Sequence, residues 1–450
     1  MDATDLDRRA RTEAGCIPPS LVARLLERGH LDRVEFHAVR GEWFCAREWV
    51  RLLGARDRWE EASAVLAPYV ATGWWPAARA QAEVLEAMGQ VEEAIALARP
   101  YAESVFRALE FFARLLARHG RADEAVTELI TGIDDWFLAT ALVEVADGTG
   151  RDEEVAALLA DRIRPGHRCV EPWCCRGLDS DTALELLAVI RERQRRVDEA
   201  IALLRRRQLT SVDNRDRLTD LLARHDRIEE LRAYAAEDSY VHATRRLAAL
   251  LEERGDVEGA IASYRRPGAS AADEPHGAVE LAELLLARHG RDDEAIEVMC
   301  AVVDAPGGVQ DWLVDILCTR YAESGRARDG IAHLDRLAAR YECEQDWDLL
   351  RNRLPLMAAS GMLDEAVTLA RPHSESDPYA AQLVADLLAA AGRVADAVAV
   401  LEPHGISAGH ALAGYLVDLG RVDDAVALFQ QRDTAPAELL WRGTLRPEPF

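Results

Sequence analysis

Apolar residues along this chain recur at three- and four-residue spacing, stop at a glycine, and then resume. In Ala108–Gly120, ALEFFARLLARHG, the residues Leu109, Phe112 and Leu116 share one face, joined by Phe111 and Leu115. That is the period of an α-helix with one buried stripe. After Gly120, the run ADEAVTEL puts Ala125, Val126 and Leu129 on a single face and predicts a second helix. The turn HGRADEAV at His119 has a near copy, HGRDDEAI, at His289.

Looser copies fill the chain. With glycine they are GQVEEAI at Gly89, GRDEEVA at Gly150, GDVEGAI at Gly255, GRARDGI at Gly325, GMLDEAV at Gly361, GRVADAV at Gly392 and GRVDDAV at Gly420. Without it they are DRWEEAS at Asp57, RRVDEAI at Arg195 and DRIEELR at Asp226, and GHLDRVE at Gly29 is a degenerate first copy. Together with the opening pair they make thirteen units. The small or aliphatic residues that mark them are Val34, Ala62, Ala94, Ala125, Val155, Ala200, Leu231, Ala260, Ala295, Gly330, Ala366, Ala397 and Ala425, at steps of 28 to 45 residues. Periods of this size belong to solenoids and propellers. Helical periodicity selects the solenoid, since blades would need alternating strands. The glycine ends one helix in a left-handed conformation that it reaches without steric cost. The acidic residues just after it fall in the first turn of the next helix, where carboxylates favour the helix dipole. The alanine is small because two helices cross there.

These residues resemble the tetratricopeptide repeats. That consensus has a Gly-x-x-x-Glu-Ala-Ile/Val turn, with a small residue and a large apolar one at fixed places in the preceding helix. Here Ala82, Ala113, Ala188, Ala248, Cys318, Ala385 and Ala413 hold the small place, and Phe112, Leu187, Leu247, Leu317, Val384 and Leu412 the large one. The resemblance spans residues 17 to 434. It implies an all-α, right-handed superhelical solenoid of about thirteen helix-turn-helix repeats. It also implies a non-catalytic scaffold that binds a protein or peptide in its concave groove. The spacing departs from the family's period of about 34, and Pro68, Pro100, Pro372 and Pro403 follow the alanine by six residues, predicting short second helices.

Two Pro/Gly-rich stretches interrupt the pattern and divide it into blocks. The reading is a tail over 1–16, repeats over 17–164, a loop over 165–180, repeats over 181–266, a loop over 267–276, repeats over 277–434, and a closing helix near Leu439–Trp441 with its tail over 435–450.

Composition narrows the function. The net charge of −25 opposes nucleic acid and anionic membrane. All 54 basic residues are arginine, the bias of a GC-rich genome, so lysine Schiff bases and phosphate-loop lysines are excluded. No run of about 18 apolar residues exists, and the N-terminus has no secretory signal. The eight cysteines therefore read as reduced thiols in a cytoplasm. No cofactor is expected.

Candidate chemistry is sparse. His167, Cys169, Cys174 and Cys175 form the one cluster of soft ligands, open to zinc or redox chemistry. Adjacent cysteines and the absence of a paired C-x-x-C favour a loop plugged onto the solenoid by Trp173, and no metal is expected. His119, His225 and His289 each end a first helix, where imidazole suits the dipole, so they read as structural. Trp43, Trp75, Trp136, Trp312 and Trp347 begin first helices, several after an acidic cap candidate (Glu42, Asp135, Asp311, Asp346). They serve as wedges between units or as aromatic anchors on a binding surface. The family lines its groove with the first helix of each unit. Carried over residue by residue, this places Arg47, Arg51, Arg79, Arg107 and Arg114 on the lining, with Phe44, Trp43 and Trp75 beside them. Glu83 and Glu110 interrupt the arginines, and Glu144, Glu185, Asp216 and Asp220 follow in the middle units. Arginine grips a carboxylate through two hydrogen bonds, so the expected partner is an acidic or C-terminal protein segment. The competing reading is that these arginines are solvated or paired with neighbouring glutamates. A peptide-responsive regulator is the remaining alternative.

Overall fold

The computed structural model describes residues 2–163, 177–206, 212–237, 241–265, 275–305, 310–341 and 347–430, with only the backbone described over 212–216 and at 285 and 341. Among these residues every regular element is helical. A first helix α1 (Ala3–Thr12) precedes the hairpins. These begin with α2 (Pro19–Glu27) and α3 (Leu31–Ala38), α4 (Trp43–Gly54) and α5 (Trp59–Val70), then α6 (Trp75–Ala87) and α7 (Val91–Ala102). Next come α8 (Phe106–Arg118) and α9 (Ala122–Ile130), α10 (Trp136–Val145) and α11 (Asp152–Ala160), α12 (Ser180–Arg193) and α13 (Val197–Arg205). The pattern continues with α14 (Val212–Arg224) and α15 (Ile228–Glu237), then α16 (His242–Glu253) and α17 (Val257–Tyr264). Helix α18 (Pro275–Val279) runs on through a π-helical stretch, Glu280–Leu286, and a closing 3-10 turn to α19 (Asp292–Val303). The remaining pairs are α20 (Asp311–Glu323) and α21 (Ala327–Tyr341), α22 (Trp347–Ala359) and α23 (Leu363–Ser376), α24 (Pro378–Ala390) and α25 (Val394–Leu401), and α26 (Gly409–Asp418) and α27 (Val422–Gln430).

The repeat register holds through the core. Every marker residue is buried, from Val34 and Ala62 to Ala397 and Ala425, with Gly330 among them. The turn works as the pattern implies. Gly120 has φ +79° and bonds its N–H to the Ala117 carbonyl, while Arg121 N–H reaches Leu116 O. Where the copy lacks glycine, the replacement residue still takes the left-handed conformation: Asp57 at φ 55°, Arg195 at 64° and Asp226 at 59°.

Two compact units divide the chain. One contains Met1–Ala98 together with Arg353–Phe450, and the other contains Arg99–Asn352. The division does not follow the blocks drawn from the Pro/Gly-rich stretches. Most of those loops, and the expected closing helix, lie outside the described residues.

Three local expectations are corrected. Residues expected as a tail form α1, because Asp2 caps the Asp5 N–H at 2.8 Å, Leu6 is buried, and Arg9 reaches the Gly15 carbonyl at 2.7 Å. Pro68, Pro100 and Pro372 lie inside α5, α7 and α23. A proline near the end of a helix removes one backbone bond, and later donors still find carbonyls, as Ala71 N–H does at Ala67 O. Pro403 does end α25 and opens a 3-10 segment. Of the cap candidates, Asp135 accepts from Phe137 and Leu138 N–H, and Asp311 lies inside its helix. Glu42 caps nothing; it accepts from Ile17 N–H at 3.2 Å and pairs with Arg9. Asp346 lies outside the described residues.

Candidate partner-binding surface

In the unit Arg99–Asn352, successive first helices pack side by side: α8 on α10, α10 on α12, α12 on α14, and α14 on α16. The apolar stripe of each faces the hairpin core, so its charged residues meet those of the next first helix. They pair in order. Arg114 of α8 reaches Glu144 of α10 at 2.6 Å, and Arg217 of α14 reaches Glu185 of α12 at 2.9 Å. Arg224 pairs with Glu192 at 2.8 Å, Arg246 with Asp220 at 3.2 Å, Arg288 with Glu252 at 2.8 Å, and Arg320 with Glu283 at 2.7 Å. His225 and His289, read as structural, join the same series through Glu192 at 2.9 Å and Glu252 at 2.7 Å. His119 is the C-cap of α8.

Two openings interrupt this charged face. One, of about 410 Å³, is lined by Arg114, Arg118, Ala122, Glu144 and Asp147. The other, of about 250 Å³, is lined by Glu185, Glu192, Arg217, Asp220 and Arg224 over a floor that includes Ala188 and Leu221. Three wall residues, Arg114, Glu192 and Arg224, are held in ionised form. Burial alone would weaken the charge of Arg114, but hydrogen bonds to Glu144 and Glu110 outweigh it and raise its pKa. Burial also works against the Glu192 carboxylate, and Arg224 and His225 reverse it, holding its pKa below the usual value. Its hydrogen bond to Glu192 raises Arg224 in turn.

The sequence-derived candidates separate. Arg114 lines an opening, and so do Glu144, Glu185 and Asp220. Asp216 lies among the residues whose side chains are not described. Arg107 is exposed and forms no ion pair within the described residues. Arg47, Arg51 and Arg79 belong to the other unit and meet carboxylates of their own helices, with Glu48 at 3.6 and 2.8 Å and Glu83 at 3.0 Å. Trp43 and Phe44 are not surface anchors. Both are buried, and Trp43 packs edge-on to Trp74 and Tyr69 at 4.8 and 5.3 Å. Trp75 is half-buried, Trp136 is 55% exposed, and Trp312 stacks on His276 at 5.0 Å. The weak metal candidates His167, Cys169, Cys174 and Cys175 lie outside the described residues.

A second series escaped the reading of the sequence, although its signal is present in the Gly-Arg dipeptide. An arginine four before the marker residue pairs with the acidic residue three further on, as in Arg121–Glu124, Arg196–Glu199 and Arg291–Glu294. It also reaches the carboxylate two before the marker of the preceding repeat. Arg227 meets Asp198 at 2.8 Å, Arg291 meets Glu258 at 2.7 Å, Arg326 meets Asp293 at 2.7 Å, and Arg393 meets Asp364 at 2.6 Å. The acidic pair thus serves inter-repeat pairing as well as the helix dipole.

Among the described residues, one partly buried cluster has the residue types of nucleophilic chemistry. Cys300 Sγ lies 3.6 Å from His333 Nδ1 and 3.4 Å from Tyr321 Oη. His333 Nε2 is 3.3 Å from Asp304, too poorly aligned for a full hydrogen bond. Burial pushes the Cys300 thiol up and the His333 imidazole down, with Arg336 adding to the latter. Both groups are thereby held neutral, the opposite of an activated thiolate–imidazolium pair. Cys45 and Cys318 are likewise pushed up by burial to about 12. No helix among the described residues is long and apolar enough to cross a membrane.

Stacked helical hairpins in a conserved register define the class: an all-α helical repeat protein. No family model and no curated protein matches the chain. Among solved structures it is similar to one described as Naa15/Naa10 bound to HypK-THB, at 13% identity over 85% of this chain and 67% of that one, with a TM-score of 0.30.

Proposed function

We propose that the chain is a non-catalytic scaffold that holds an acidic or C-terminal segment of a protein partner against its first-helix face. The observation that carries this reading is the opening between α8 and α10, where Arg114 holds two carboxylates in a cleft open to solvent. The Glu144 side chain is 53% exposed. Exposed ion pairs contribute little, so a partner carboxylate can take the place of Glu144 at small cost and gain a charge-assisted bond to the planar guanidinium. Arg107, exposed and without an ion pair among the described residues, adds a positive charge on the same helix. In the other unit, Arg79 pairs with a similarly exposed Glu83, while Arg47 and Arg51 share the less exposed Glu48, and all three would exchange partners in the same way.

The test is fluorescence anisotropy with an array of labelled peptides ending in Asp- and Glu-rich sequences. Binding should weaken as salt rises, and Arg114→Glu should weaken it about tenfold or more, the equivalent of losing one charge-assisted bond. Arg47→Glu with Arg79→Glu tests the other unit separately. Unchanged affinity in every variant, with helix content intact, would remove these arginines from the surface.

A further inference from the structure

We propose that the face joining the first hairpin to the last is a head-to-tail interface that also accepts a second copy of this chain. All the residues concerned lie in the unit containing Met1–Ala98 and Arg353–Phe450. There α2 packs against α26, with Leu21, Val22 and Leu25 buried on one and Leu412, Leu416 and Val417 buried on the other. Ser20 Oγ meets His410 Nδ1 at 3.3 Å.

The polar contacts draw on carboxylates like those of the two series that join neighbouring repeats elsewhere, with the arginines at shifted places. On the second helices, the carboxylate two before the marker is used by the next repeat. In the last repeat that residue is Asp423, and Arg33 of the first repeat takes it with both oxygens at 2.7 and 2.8 Å. On the first helices, Arg224 and Arg288 pair seven residues before their markers with Glu192 and Glu252 eight before theirs. Arg28, six before Val34, pairs at 2.8 Å with Asp418, seven before Ala425, and Arg24 joins it. The Asp418 side chain is only 8% exposed, so this contact excludes most water. The first hairpin therefore meets the last through α2 on α26 and through carboxylates at the places that neighbouring repeats use.

The residues in contact are unlike and complementary: Arg24, Arg28 and Arg33 with apolar α2 on one side, Asp418 and Asp423 with apolar α26 on the other. Contact between unlike faces is heterologous and can be satisfied within one chain or between two. A single chain meets it internally because tethering gives the two ends a high effective concentration. Remove the internal match, and the same chemistry selects another copy.

The experiment uses two full-length variants. One carries Asp418→Arg, and the other carries Arg24→Asp with Arg28→Asp. Each alone sets like charges across its own junction, while the mixture restores opposite charges at both junctions of a pair. Expected results are loss of hydrogen-exchange protection in α2 of the first variant and in α26 of the second, at unchanged helix content. Equimolar mixing should then recover that protection and give a species of twice the chain mass by light scattering. Should the inner pair fail to fold, the outer exchange, Arg33→Asp against Asp423→Arg, is read in the same two ways, since Asp423 is 81% exposed and its reversal buries no charge. Protection lost in both variants but no mixed species would overturn the proposal. So would wild-type protection in each variant alone, which would mean that these ion pairs do not join the hairpins.

Discussion

Arg195 occupies a position that glycine holds in most repeats, and replacing it should stabilise the protein. Its φ is 64°, against 79° at Gly120. A non-glycine residue in this region costs roughly 1–2 kcal/mol. Against that, glycine enlarges the conformational freedom of the unfolded chain and gives back about 0.4–1 kcal/mol. The arginine side chain has nothing to lose: it is exposed, and no ion pair holds it among the described residues. Its backbone N–H bond to Glu192 O at 2.8 Å survives the change. Arg195→Gly should therefore stabilise by about 0.5–1 kcal/mol, the difference between the two effects. The reverse change, Gly120→Ala, should cost a similar amount. A Cβ there would meet nothing within 4 Å, so the penalty is backbone strain alone. Urea unfolding followed by tryptophan fluorescence measures both, and hydrogen exchange at α12–α13 and α8–α9 localises them. A destabilised Arg195→Gly, or a neutral Gly120→Ala, would refute the argument that the turn conformation governs these sites.

Ala125 is fully buried at the crossing of α8 and α9, and Ala125→Trp should cost on the order of 1–3 kcal/mol or more by overpacking; unchanged melting would place that alanine away from the crossing. The Glu192 carboxylate has a folded pKa below its unfolded value, so its stabilisation is complete above the ordinary carboxylate range of about 4.3 and is lost as pH falls through the lowered value. Glu192→Gln should accordingly weaken unit Arg99–Asn352 at neutral pH by an amount that shrinks on acidification, and a pH-independent difference in urea midpoint between pH 7 and pH 3 would contradict it.

The fold was legible because each repeat states it independently. A buried marker, a left-handed turn and a helix stripe recur in register, and a degenerate copy such as DRIEELR at Asp226 is rescued by its neighbours. The candidate site was legible only in part. Spacing put Arg114, Glu144, Glu185 and Asp220 on one face, since first helices share a register. Pairing of the arginines with neighbouring glutamates and tryptophans wedged between units were both open in the sequence, but spacing did not say that Glu144 of the next repeat would join Glu110 at Arg114, or that Trp43 would meet Trp74 and Tyr69. Such pairings depend on the offset between neighbouring helices, which periodicity does not carry.

By itself, then, the sequence determined the helical class, the place of each turn and the core residue at each crossing. These are local matters of 3.6-residue periodicity, glycine's access to positive φ and the size of one side chain. The tertiary structure decided which charges meet. It joined Arg217 to Glu185 and Arg227 to Asp198 between neighbours, and it brought Arg24, Arg28 and Arg33 to Asp418 and Asp423 at the far end of the sequence. An ion pair requires two groups within about 4 Å, and for residues some 390 positions apart that distance is set by the packing of α2 on α26, which periodicity does not carry.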